Sequence, residues 1–194
     1  MDKSTEKKKK LTEEKARKHL YDILGENVPL EFREGFLTVA SGAAHVVGNC
    51  KADAIILSNL AWEGVEFHEA YHRIFETLIP ENQRNAIYQK IAKRLGVHLY
   101  DSNGKENLDA FRTCTEWAAD RYMEHMNFHI TDLKIPFLTR AWNTIYDWVQ
   151  MFVHFGDREL YKTFIEVNKG TYRNIRPSQK QINRFNRMYK ELYA

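Results

Sequence analysis

The pattern of apolar and polar positions divides the chain into three parts. Leu11, Leu20, Ile23 and Leu24 form one stripe among charged residues, which predicts a surface helix. Thr12 suits its N-cap, Glu13 and Glu14 its first turn, and Gly25 its stop. Between residues 30 and 58 the period changes. Short apolar runs occur at Phe36, Leu37 and Val39, at Ala44, Val46 and Val47, and over 54–57. Glu34-Gly35, Ser41-Gly42 and Gly48-Asn49 punctuate them. This predicts a small sheet of about three short strands. Beyond Asn59 the period is helical, with helices expected over 62–79, 81–95, 109–128, 136–154, 158–167 and 178–193. Pro80 separates the first pair, Pro136 fits a helix start and Ser178 an N-cap. Asp101-Ser102-Asn103-Gly104 reads as a turn.

Composition narrows the class. With 194 residues, 43% of them hydrophobic and 13% aromatic, the chain can bury one substantial core, and wholesale disorder is excluded. No apolar run reaches the ~18–20 residues of a membrane span. The charged N-terminus lacks the apolar stretch of a secretory signal. Cys50 and Cys114 are too few for a disulfide framework. The expected location is the cytoplasm, with no membrane contact. Charge is uneven: eight Lys/Arg against four Asp/Glu over 1–18, and seven against one over 168–194. The expected organisation is a basic lead over 1–18, one domain over 19–167 and a basic helical tail over 168–194. Basic ends permit contact with a polyanion, although solvated termini commonly look the same.

One motif carries chemistry. His68-Glu69-Ala70-Tyr71-His72 spells H-E-x-x-H inside a predicted helix. Histidines four residues apart lie about 40° apart around a helix, one turn up, so both can reach one metal ion. Glu69 stands about 100° from His68, beside the ion rather than on it. Zinc hydrolases need this set: two neutral nitrogen ligands and a base next to a water. Phe67, Tyr71, Ile74, Phe75 and Leu78 recur at helical spacing around the motif, so the helix is packed, and its histidines need partners. The alternative is a pair of satisfied core histidines. A third ligand is required. Six other histidines, the acids and both cysteines are candidates, and Glu116 and Asp120 stand out, four apart on one face of a later helix. One could ligate the metal and the other accept the N–H of a ligating histidine.

H-E-x-x-H followed by E-x-x-x-D on a later helix resembles the gluzincins, the thermolysin-like zinc metallopeptidases. The resemblance covers about residues 54–127. It implies His68, His72 and Glu116 as zinc ligands, Glu69 as general base, and Asp120 as the residue orienting a ligating histidine. Thr115 stands where that family has Asn, and 43 residues separate His72 from Glu116, a longer linker than the family's. The stretch Glu63-Gly64-Val65-Glu66-Phe67-His68-Glu69-Ala70-Tyr71-His72-Arg73-Ile74-Phe75 is also similar to metallopeptidase-like segments in large polyvalent proteins of phages and conjugative elements. The resemblance further implies a substrate-pairing strand before the active helix, for which residues 54–57 are the match. It implies an oxyanion donor too, but no motif selects among Tyr122, His125 and His129.

The expectation is an α+β, mostly helical fold: a small N-terminal β-sheet packed on an active-site helix, then a helical C-terminal part. The expected function is zinc-dependent hydrolysis of peptide bonds in a peptide or protein substrate. The alternative is a nucleic-acid- or virion-associated binding module that keeps a structural zinc. Trp142, Tyr146, Trp148, Met151, Phe152 and Phe155 are expected as the core face of an amphipathic helix. The basic residues over 169–190, interleaved with Tyr172, Phe185 and Tyr189, are the segment that the alternative would use.

Overall fold

The computed structural model describes residues 9–26, 28–38, 45–127 and 136–193. The fold is α+β and mostly helical, with its strands near the N-terminus. Helix α1 (Glu13–Leu24) starts at Thr12, whose hydroxyl accepts from the Lys15 N–H, and ends at Gly25. Five short strands follow: β1 (Leu30–Arg33), β2 (Leu37–Thr38), β3 (His45–Val46), β4 (Gly48–Cys50) and β5 (Ile55–Ser58). They form two sheets rather than one. β2 and β3 pair antiparallel. The larger sheet has the order β1-β5-β4, with β1 parallel and β4 antiparallel to β5. Every residue of β5 is buried. That explains its continuous apolar run, because a strand covered on both faces needs no alternation.

Helices make up the rest: α2 (Val65–Thr77), α3 (Glu81–Leu95), α4 (Leu108–Asn127), α5 (Pro136–Val153), α6 (Arg158–Asn168) and α7 (Gln179–Tyr193). A 3-10 turn, Phe155–Asp157, joins α5 to α6. Helix α2 begins later than the periodicity alone suggests. Gly64 takes a left-handed φ of 109° there, and its N–H donates to Glu66 Oε2 at 2.8 Å. The other oxygen of the buried Glu66 meets His19 Nδ1 at 2.8 Å, which ties α1 to α2.

Helix α2 is the centre of the molecule. Twelve of its residues are buried, because α1, α4, α7 and the strands β4 and β5 all pack on it. Tyr71 shows how the layers lock. Its ring stacks on Tyr122 at 4.9 Å and meets Phe164 edge-on at 5.1 Å, and its hydroxyl lies 2.6 Å from Thr163 Oγ1. One side chain thus joins α2, α4 and α6.

One expectation is corrected in part. The aromatic stretch of α5 is divided: Met151 packs against the core and Tyr146 meets the buried His125 at 5.2 Å, but other positions face out. Trp142 is 51% exposed and Trp148 69%, and Ile145, Val149 and Val153 are exposed beside them. The hydrophobic period marks a helix with one apolar side, but nothing in a period says that this side is covered. The Phe152 and Phe155 side chains lie outside the described set. Conversely, the aromatic residues of the basic C-terminal segment point inward. Tyr172, Phe185 and Tyr189 are buried, with Met188 beside them. Here α7 packs on α2, with Lys180 and Arg187 exposed and Arg184 lying over the Tyr88 and Phe111 rings.

Candidate metal centre

The motif sits in the middle of α2, so backbone geometry alone puts His68 and His72 on one face, one turn apart. Their Nε2 atoms stand 2.9 Å from each other. Helix α4 runs against α2 and brings Glu116 over the pair. Its Oε1 is 3.3 Å from His72 Nε2, and its Oε2 is 3.4 Å from His68 Nε2. One ligand atom from each residue lies within 4.8 Å of the other two, and these three form the only group of this kind among the described residues. Ligands about 2.0–2.2 Å from one tetrahedral ion stand roughly 3.3–3.5 Å apart, so the cluster needs little adjustment to take one.

Each imidazole is held from behind. His68 Nδ1 lies 3.1 Å from Asp120 Oδ1, one turn along α4 from Glu116. His72 Nδ1 lies 3.3 Å from the hydroxyl of Tyr189, on α7. In the tautomer with the hydrogen on Nδ1, both Nε2 lone pairs point at one place, beside a carboxylate. Such a convergence of electron-rich atoms demands a cation, either a proton or a metal ion. The protonation behaviour of the cluster agrees. Burial disfavours the charged His68 ring, but Asp120 and Glu116 outweigh it and raise its pKa to about 10. Burial likewise opposes ionisation of Glu116, but the two imidazoles overcome it and hold the carboxyl well below the usual range. The donor set therefore fits a metal such as zinc.

Glu69 stands apart from the ligand set. It is buried on the side of α2 that faces β4. Burial pushes its pKa above the usual carboxylate value, against the pull of His72 and His68. Cys50 is itself buried, and burial holds its thiol well above the usual pKa, with Glu69 adding to the rise. Glu116 and Asp120 have side chains 54% and 59% exposed, so the cluster opens to solvent on the α4 side.

All five residues singled out by the motif are thus brought to one place. The substrate strand is not. Residues 54–57 lead into and form β5, which is paired on both edges and has none to offer a peptide. Among the described residues nothing pairs with the outer edge of β4. The Ser58 N–H donates to the Val47 carbonyl at 2.8 Å and the Lys51 N–H to the Ala54 carbonyl at 2.7 Å. In an antiparallel ladder this phase turns the backbone groups of Gly48 and Cys50 outward. Central and edge strands differ in which neighbours arrive, and no local pattern in so short a run encodes that.

Of the oxyanion candidates, Tyr122 is committed elsewhere: it is buried in the core, and its hydroxyl donates to Asn168 Oδ1 at 2.7 Å. His125 is buried and faces Asp147 Oδ1 at 3.1 Å. His129 lies outside the described residues. Cys114 is buried, which raises its thiol to about 11, and it does not belong to the cluster. The sequence gives Tyr189 no part in the metal centre; there it reads as one of the aromatic residues interleaved in the basic C-terminal segment. Only a polar tip on an inward-facing ring hinted at a partner. Compared with known protein families, curated proteins and solved structures, the chain matches none of them.

Proposed function

We propose that the chain is a zinc-dependent peptidase, with His68, His72 and Glu116 as metal ligands and Glu69 as general base. The observation that carries this reading is an open set of three ligands: no fourth His, Cys, Asp or Glu among the described residues joins the cluster. A structural zinc is usually closed by four protein ligands, whereas a catalytic one keeps a position open. Zinc held there would polarise a carbonyl oxygen and bring the pKa of a water near 7.

The chain's own residues supply the remainder. Asp120 and Tyr189 keep both rings turned so that Nε2 faces the metal position. Glu69 is buried beside the cluster, with a pKa raised by that burial. A carboxylate moved toward neutrality suits a group that takes a proton from water and returns it to the leaving amine. The outward amides of Gly48 and Cys50 offer a peptide backbone the edge for strand addition. The alternative, a nucleic-acid- or virion-associated module with a structural zinc, loses support from the inward orientation of Tyr172, Phe185 and Tyr189, since stacking platforms have to face out.

The test joins metal content to turnover. Purified protein is expected to hold one zinc, and His68→Ala and His72→Ala to lose it. Glu69→Gln is expected to keep zinc and lose most cleavage of a peptide that the wild type cuts, found from a broad peptide library. Zinc retained by both histidine variants would rule out the site. A fully loaded wild type that cleaves nothing would leave the structural role.

A further inference from the structure

The place of Glu69 is set from outside its own helix. Two residues of β4, at i and i+2, turn toward α2 at this point. Gly48 is the first, and its backbone lies against the Glu69 side chain. A Cβ built there would stand 2.6 Å from Glu69 Oε1, 2.9 Å from Glu69 Cγ and 2.6 Å from Val65 Cγ1. Real Cβ atoms do not come so near, so any side chain at this position displaces the carboxylate or the strand. Gly48 is not among the glycines with positive φ, so room rather than backbone conformation demands glycine here. Cys50 is the second. It is 1% exposed, on the same face of β4. The strand is itself anchored. Its far end turns through Ala52, whose carbonyl accepts from Arg73 Nε at 3.2 Å, and Arg73 is buried on α2.

We propose that β4 is the seat of the general base, with Gly48 as the positioning residue that fixes where the Glu69 carboxylate stands beside the metal cluster. The inference rests on the reading of Glu69 as base. It adds that one strand both registers the base, through its inward face, and carries an outer edge that is unpaired among the described residues. Gly48 does not belong to the ligand cluster, so its effect is on the base and not on the metal.

The test uses the full chain loaded with zinc. Gly48→Ala is expected to lower kcat by about 100-fold, the cost of misplacing a reacting group by about 1 Å. KM is expected to stay within a few-fold, and zinc affinity, from competition with a chelator, close to wild type. A second readout needs neither substrate nor metal. In a Val65→Ala background the clash with Val65 Cγ1 is removed and that with Glu69 stays. There Gly48→Ala should lower the melting temperature, and the drop should shrink when Glu69 is also replaced by Ala. Equal drops with and without the Glu69 side chain would overturn the seat, and so would loss of zinc in Gly48→Ala. If the wild type cleaves no peptide, the peptidase reading fails while the melting cycle still decides what holds Glu69.

Discussion

Tyr189 places its hydroxyl 3.3 Å from Nδ1 of His72, a residue 117 positions earlier in the chain. The ring is buried, and it meets the His72 ring edge-on with centroids 6.2 Å apart. Helix α7 therefore reaches the candidate metal centre. Partners of this kind fix the tautomer and strengthen the ligand, at about 10–100-fold in metal affinity. Tyr189→Phe keeps the packing and removes only the hydroxyl. Zinc affinity is expected to fall about tenfold with the melting temperature of the metal-free protein little changed. An unaltered affinity in chelator competition would leave Tyr189 a packing residue.

Asp120 does for His68 what Tyr189 does for His72, at 3.1 Å from Nδ1. Its side chain is 59% exposed, so water can replace it in part. Asp120→Ala is expected to weaken zinc by about 10-fold, the lower end of the range for such partners. If the affinity equals that of the wild type, the carboxylate is an ordinary surface group.

The pH dependence of metal uptake follows from His68. In the metal-free protein Asp120 and Glu116 outweigh burial and raise its pKa to about 10. A ligating nitrogen must give up its proton, so zinc binding at neutral pH should release about one proton from this ring. Below the raised pKa the proton competes, and affinity climbs as pH rises toward about 10. For the metal-free fold the sign reverses: the stability that His68 contributes is full below its ordinary 6.5 and is lost as pH approaches about 10. Calorimetry of zinc binding in two buffers of different ionisation enthalpy measures the released proton. Identical heats in both would contradict a protonated His68.

Glu76 joins the three helices behind the site. It is fully buried, and its Oε1 accepts from the Tyr88 hydroxyl and, at 2.5 Å, from Thr115 Oγ1. Thr115 directly precedes Glu116, so this bond sets the register of α4 against α2. Glu76→Ala opens a cavity and takes the acceptor from two buried hydroxyls, at a cost of about 2–4 kcal/mol. Glu76→Gln keeps an acceptor oxygen and should cost less. Urea midpoints of the two variants check the order, and a Gln variant less stable than the Ala variant would reverse the argument.

Much of this was legible in the sequence. The spacing of His68 and His72 determines their common face wherever the segment is helical, because 3.6 residues per turn leaves no other outcome. The same rule puts Glu116 and Asp120 on one side of α4. Helix existence and type followed from periodicity, with Gly25 marking a stop and Pro80 a boundary. What the sequence by itself determined is thus what the backbone repeats within a few residues. Tertiary structure alone decided the rest. It set Glu116 3.3 Å from His72, put β5 in the middle of its sheet and β4 on an outer edge, brought Tyr189 to His72, and left Trp142 and Trp148 of α5 exposed. Each of these depends on which distant surface arrives at a given face. Burial drives that choice without direction, so a chain's period shows that a face is apolar and never what will cover it.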